Sequence, residues 1–173
     1  MAEESLIALN ALRLAQSMVR MLKDMRGLDY RLDEAHGRVR KAGRPGSAFP
    51  MRVGIHFSGF LNGEYVLFLG VETAARIAGR WSADQGLPAL EAARDESESL
   101  IREVLNSAVG AAIRDLERFA GGLDFEPATI GYRDEDRPEA PFAGAWGDLL
   151  VLGDAGPVLC CFLMESQGAG DAG

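Results

Sequence analysis

Ser99-Leu100-Ile101-Arg102-Glu103-Val104-Leu105-Asn106-Ser107-Ala108-Val109-Gly110 is the stretch on which the reading of this chain turns. Continued to Phe119 at about 100° per residue, it gathers Ile101, Leu105, Ala108, Ala112, Leu116 and Phe119 on one side of a helix within roughly 60°. That side has the make-up of a core face. Ser99, Glu103, Asn106 and Gly110 gather on the opposite side as one stripe. A polar stripe facing solvent is ordinary, but a glycine within it costs the helix about 1 kcal/mol relative to alanine, and its plain benefit is close approach by another backbone. Beside it, Glu103 and Asn106 stand one turn apart, so an acid and an amide reach the same point outside the helix. The pair has no nucleophile or metal cage of its own. Inserted into a partner's site, the amide could hold a water molecule by donating and accepting, while the carboxylate anchored a cation.

Outward from this helix the chain reads as an α+β domain, with helices packed on antiparallel sheet. Apolar residues from Ser5 to Met25 recur at helical spacing and end at Gly27 in a C-cap position. Leu28 to Lys41 alternates loosely and predicts one strand, followed by a turn at Ala42 to Ser47. Met51–Phe60 and Glu64–Leu69 flank Asn62-Gly63, whose left-handed preference predicts a tight hairpin. An alanine-rich helix is expected over Glu72–Trp81, and Pro88 opens a longer helical segment that runs to about Ala120, before Gly121-Gly122. Leu123–Tyr132, Asp148–Gly153 and Val158–Met164 are further strand candidates, separated by a charged loop at Arg133–Pro141. Residues 1–165 form the expected domain, and 166–173 the expected disordered tail. A four-residue echo, Glu4-Ser5-Leu6-Ile7 against Glu98-Ser99-Leu100-Ile101, hints at two related halves.

The 173 residues carry a net charge of −8, with +3 on the part up to Gly86 and −11 on the rest. Such acidity argues against nucleic acid or an anionic membrane as the main partner. No apolar run is long enough to span a bilayer, and Met1-Ala2-Glu3-Glu4 is acidic where a secretory signal needs positive charge. Cys160 and Cys161 are adjacent, and strand alternation sends them to opposite faces. A disulfide between them would be strained, so a reducing, cytoplasmic setting is expected. No glycine-rich nucleotide loop or Cys-x-x-Cys occurs, and His36 and His56 lack partners at ligand spacing. Ser58 lacks the preceding glycine of a nucleophile elbow, and His56 reads as a half-buried strand residue. Arg38, Arg40, Lys41 and Arg44 form a basic cluster, read chiefly as solvated charge.

The pattern Ser99-x-x-x-Glu103-x-x-Asn106, then Gly110, then Pro127 in Phe125-Glu126-Pro127-Ala128-Thr129-Ile130-Gly131, resembles the CheC, CheX and FliY phosphatases of bacterial chemotaxis. The likeness extends through the hairpin and the alanine-rich helix, over about residues 50–165. Slightly fewer residues separate Asn106 from Pro127 than in the family's pattern, a difference the Gly121-Gly122 turn can absorb. The resemblance implies hydrolysis of the aspartyl phosphate on a CheY-type response regulator. Asn106 would orient the water, Glu103 would pair with the regulator's lysine, and Ser99, Gly110 and Pro127 would shape the site. The chain would need no cofactor of its own, with Mg2+ held by the regulator. Aligned with Asn10 on Asn106, the first helix offers Ile7 in place of Glu103 and Glu3 in place of Ser99, so a second site is not expected. With no FliN-like segment after Met164, this points toward CheX-like members, which keep one site and form homodimers. The alternative is a non-catalytic receiver-binding module of the same fold; a structural part of the flagellar switch is a third reading.

Overall fold

The computed structural model describes residues 2–34, 37–119, 121–134, 136–137 and 139–166. Helix α1 (Glu3–Arg26) comes first, with Glu3 and Glu4 in its first turn and Lys23 and Arg26 in its last, each sign matched to the helix dipole. Gly27 closes it in the left-handed conformation, its N–H reaching the Lys23 carbonyl at 2.8 Å. Strands β1 (Tyr30–Leu32), β2 (Arg38–Arg40), β3 (Met51–Ser58) and β4 (Gly63–Leu69) follow. Next are helices α2 (Val71–Ile77), α3 (Gly86–Ala92) and α4 (Arg94–Phe119), then strands β5 (Asp124–Phe125), β6 (Thr129–Tyr132), β7 (Gly144–Gly153) and β8 (Val158–Glu165). The architecture is α+β, as expected.

All eight strands join one antiparallel sheet in the order β1-β7-β8-β4-β3-β5, with β2 also on β7 and β6 also on β3. This order is symmetric under exchange of two halves. The hairpin β3–β4 corresponds to β7–β8, the two hairpins meet at β4 and β8, and each receives the short strands of the opposite half. Helices α1 and α4 pack against each other on one face. Their buried residues correspond pair by pair: Ile7 and Ile101, Ala11 and Leu105, Leu14 and Ala108, Ala15 and Val109, Met18 and Ala112, Leu22 and Leu116, each pair 94 apart (101 − 7). The short echo in the sequence therefore marks a real structural repeat.

That register corrects the expected alignment of the first helix. Asn10 corresponds to buried Val104 rather than to Asn106, and it is itself fully buried. The positions matching Ser99, Glu103, Asn106 and Gly110 are Ser5, Leu9, Leu12 and Gln16. Neither register supplies a second acid and amide pair.

Four other expectations change in detail. The single strand before Ala42 is two short ones, because Asp33 and Glu34 break the run and both pieces pair with β7. The tight Asn62-Gly63 turn is instead a loop over Gly59–Asn62 between β3 and β4, since Phe57 pairs with Gly63, which belongs to β4. Neither Asn62 nor Gly63 has positive φ; Gly59 does. The long helical segment divides at Ala93 into α3 and α4. Finally, Leu123–Tyr132 is interrupted at Glu126–Ala128, where Pro127 has no N–H for the ladder. Of the expected tail, 167–173 lies outside the described residues, and the Ser166 N–H bonds the Ala143 carbonyl at 3.1 Å. His36 and the Phe119 side chain also lie outside what is described.

The main core sits between the helices and the inner sheet face. Phe57, Tyr65 and Phe162 pack there with ring centroids 5.8, 5.6 and 4.9 Å apart pair by pair, contacts worth about 0.5–1.5 kcal/mol each beyond burial. Alternation sends Val66, Phe68, Trp146, Cys161 and Leu163 to the other face, where Phe49 and Phe142 cover them. Cys160 and Cys161 are free and buried in these two separate clusters. Burial pushes both thiols well up from their usual range.

Candidate functional site

Helix α4 is anchored at its start. Asp95 and Glu96 occupy the first turn, and the Ser97 hydroxyl donates to the Ala93 carbonyl at 2.6 Å. The Arg94 guanidinium lies 4.2 Å from the Tyr132 ring centroid and donates to Glu98 at 3.2 Å. The Tyr132 hydroxyl bonds the same carboxylate, so α4 is fastened to β6. Below, Ile101, Val104, Leu105, Ala108, Val109, Ala112 and Leu116 are buried in the main core. The opposite face carries Ser99, Glu103, Asn106 and Gly110, all exposed. The structure thus places these four along one outward surface.

Gly110 has an open surface above it. A side-chain carbon added there would meet nothing within 4 Å among the described residues, so none of them requires glycine there by contact. Its propensity cost of about 1 kcal/mol is not offset within the fold.

Ser99 and Glu103 also line a cleft of about 430 Å3 together with Arg26, Ala78, Arg80, Glu96 and Leu100. Arg26 donates to the carbonyls of Ile77 and Ala78 at 2.8 and 3.0 Å, closing the end of α2. Arg80 pairs with Glu96 at 2.7 Å. The acid of the stripe therefore sits beside two cations held by backbone and carboxylate. Sequence reasoning missed Arg26 and Arg80, because three separate elements bring them to this point and no local spacing links them.

Pro127 stands off this helix, exposed in the break between β5 and β6. Its neighbour Glu126 donates its N–H to the His56 carbonyl at 2.9 Å and holds its carboxylate 3.6 Å from His56 Nδ1. Glu165 lies 3.6 Å from Nε2 on the other side of the same ring. His56 is thus a half-buried residue of β3 between two acids. The basic cluster is largely neutralised: Arg38 pairs with Glu34, Arg40 with Asp148 at 3.0 Å, and Lys41 with Glu4 at 2.6 Å. Among the described residues, no group of three His, Cys, Asp or Glu side chains is placed to hold a metal ion. None of their helices is long and apolar enough to cross a membrane.

No protein-family profile matches the sequence, and no curated protein matches it either. Solved structures do. The chemotaxis protein CheX from Vibrio vulnificus superposes with a TM-score of 0.66 at 15% identity, covering 90% of this chain and 99% of the other. The chain has the fold of the CheC, CheX and FliY proteins. FliY from Thermotoga maritima shares this fold at a TM-score of 0.61 and 18% identity, over 95% of this chain and 90% of the other. CheX from Borrelia burgdorferi, solved in complex with CheY, BeF3 and Mg2+, does so at 0.59 and 15%, over 89% and 96%. At such identities the likeness is one of fold.

Proposed function

We propose that this chain is a CheX-like phosphatase that hydrolyses the aspartyl phosphate of a CheY-type response regulator. The observation that carries the reading is the outer face of α4. Glu103 and Asn106 are exposed one turn apart, beside a glycine whose bare surface serves no contact among the described residues. The shared fold supports it, as does the CheX of that fold seen bound to CheY.

In this mechanism α4 docks on the phosphorylated receiver. Glu103 pairs with the receiver's lysine and fixes the register of the two proteins. Asn106 enters the phosphorylation site, accepting from one water and donating to it, and holds that water in line with the phosphorus. The water oxygen bonds to phosphorus as the bond to the aspartyl oxygen breaks, yielding inorganic phosphate and the free carboxylate. Mg2+ is bound by the receiver and neutralises charge on the phosphoryl oxygens. Gly110 lets the receiver backbone approach, while Ser99 and Pro127 shape the margin. By the same likeness the chain acts as a homodimer, which light scattering would check.

Mixing the protein with a phosphorylated regulator and timing phosphate release tests the proposal. Release faster than the regulator's own decay is expected; an unchanged decay would overturn it. Binding to the phosphorylated regulator without accelerated release would favour the non-catalytic receiver-binding module.

A further inference from the structure

The two cations of the cleft beside Glu103 are held in different ways. Arg26 is fixed. Its guanidinium donates to the two carbonyls that end α2, and Gly79, at φ 67°, makes room for it, since a side-chain carbon there would fall 2.6 Å from Nη2. Arg80 is anchored only by its backbone, whose N–H bonds the Ala75 carbonyl at 3.0 Å. Its side chain reaches Glu96 at 2.7 Å, with the two side chains 58% and 63% exposed. An ion pair so open to water contributes little to stability, so either partner is easily given up for another.

The cleft is continuous with the outer face of α4, because Ser99 and Glu103 belong to both. A protein seated on that face therefore comes to Arg80 as well. The part of the chain after Gly86, which supplies Glu96 and Glu103, carries a charge of −11, and a receiver that holds Mg2+ presents carboxylates around it. Two acidic surfaces meeting in this way repel each other unless a cation lies between them. Arg80, which comes from the other part of the chain, lines the cleft where that cation is needed.

We propose that Arg80 changes partners on docking, leaving Glu96 to pair with an acidic side chain of the receiver while Glu103 takes the receiver's lysine. The inference rests on the docking of a receiver on α4. Glu96 is then the counter-ion of the unbound protein, and it competes with the incoming acid. The new pair forms inside an interface that sheds water, where a charge-assisted hydrogen bond is stronger than at an open surface. Two opposite charges in one cleft also admit the receiver in one rotational setting, which a single contact at Glu103 does not fix.

Arg80→Gln and Glu96→Gln in the full chain test the exchange, through titration with BeF3-loaded regulator and steady-state phosphate release from the phosphorylated one. Both side chains are exposed, so neither change disturbs the core. Arg80→Gln should raise the dissociation constant and KM by about tenfold, with the loss falling on KM rather than kcat. Glu96→Gln should lower both by roughly threefold, because the competing acid is gone. If the pair were only structural, the two variants would weaken binding alike, since each breaks the same contact. Weakening by both variants, or no change in either, would overturn the exchange and leave the phosphatase reading in place. Binding without accelerated release by the wild type would overturn that reading, while the two dissociation constants still decide the exchange. A wild type that binds no regulator would overturn both.

Discussion

The Tyr65 hydroxyl donates to Oδ1 of Asn10 at 2.8 Å, joining β4 to α1 between two fully buried side chains. Asn10 in turn donates to the Leu6 carbonyl at 2.9 Å. A buried amide can be an internal brace rather than a surface tool. Asn10→Leu removes the acceptor of the tyrosine proton and should cost about 1–3 kcal/mol in a urea titration. Adding Tyr65→Phe should recover part of the loss, since both partners are then apolar. A neutral single variant would contradict the brace.

Gly110→Ala should stabilise the isolated protein by up to about 1 kcal/mol, because the helix gains propensity and the new methyl group meets nothing. The same change should weaken the regulator complex by blocking close approach. Thermal melts and a binding titration read the two effects separately; lost stability with intact affinity would count against the docking face.

Asn106→Ala and Glu103→Ala should part company. Orienting a water acts in the transition state, so Asn106→Ala is expected to bind the regulator nearly as before while losing the hydrolysis step. Glu103→Ala should lose affinity as well as rate, and its remaining binding should depend less on salt. Asp at position 103 should rescue poorly, being one methylene short. Dissociation constants with a BeF3-bound regulator and single-turnover phosphate release check both. Parental hydrolysis by Asn106→Ala would remove the catalytic assignment.

Tyr30 should govern part of the alkaline limb of stability. Burial first, and then Asp154, push its hydroxyl up to about 12 from 10.0, and it donates to the Gly156 carbonyl at 2.8 Å. A raised value favours the protonated form in the folded state. Its contribution, on the order of 2 kcal/mol, is therefore fully present below pH 10 and is lost as pH rises toward 12. Urea titrations across that window should show a shallower fall for Tyr30→Phe. Parallel curves would exclude the effect.

Gly63→Ala should be among the most damaging single changes, since its side chain would fall 2.2 Å from the Leu163 carbonyl oxygen and 2.7 Å from the Phe57 ring. Asn62→Ala should be mild, costing the one bond from the Gly59 N–H to its carboxamide at 3.2 Å. A severe Asn62 variant with a tolerant Gly63 would restore the tight-turn reading.

That pair shows where the sequence misleads. Asn62-Gly63 correctly announced a hairpin but named the wrong cause, since the glycine is demanded by the neighbouring strand β8, which no local window contains. The helix faces were legible because periodicity alone separates Ile101 and Leu105 from Glu103 and Asn106. Asn10 was not, because a buried amide matches an exposed one letter for letter until its tyrosine partner is known. Arg26 and Arg80 escaped for a similar reason, being gathered beside Glu103 only by the packing of α1, α2 and α4.

The mutual lending of short strands has a consequence for the life of the chain. With β1 and β2 lodged on β7, and β5 and β6 on β3, neither half finishes its own sheet, and the first half emerges from synthesis with the β3–β4 hairpin lacking the outer neighbours of both its strands. Folding must await the second half, and these distant pairings make it slow. At high concentration two chains could trade halves, since every strand pairing that joins the two halves of one copy can be made equally between two.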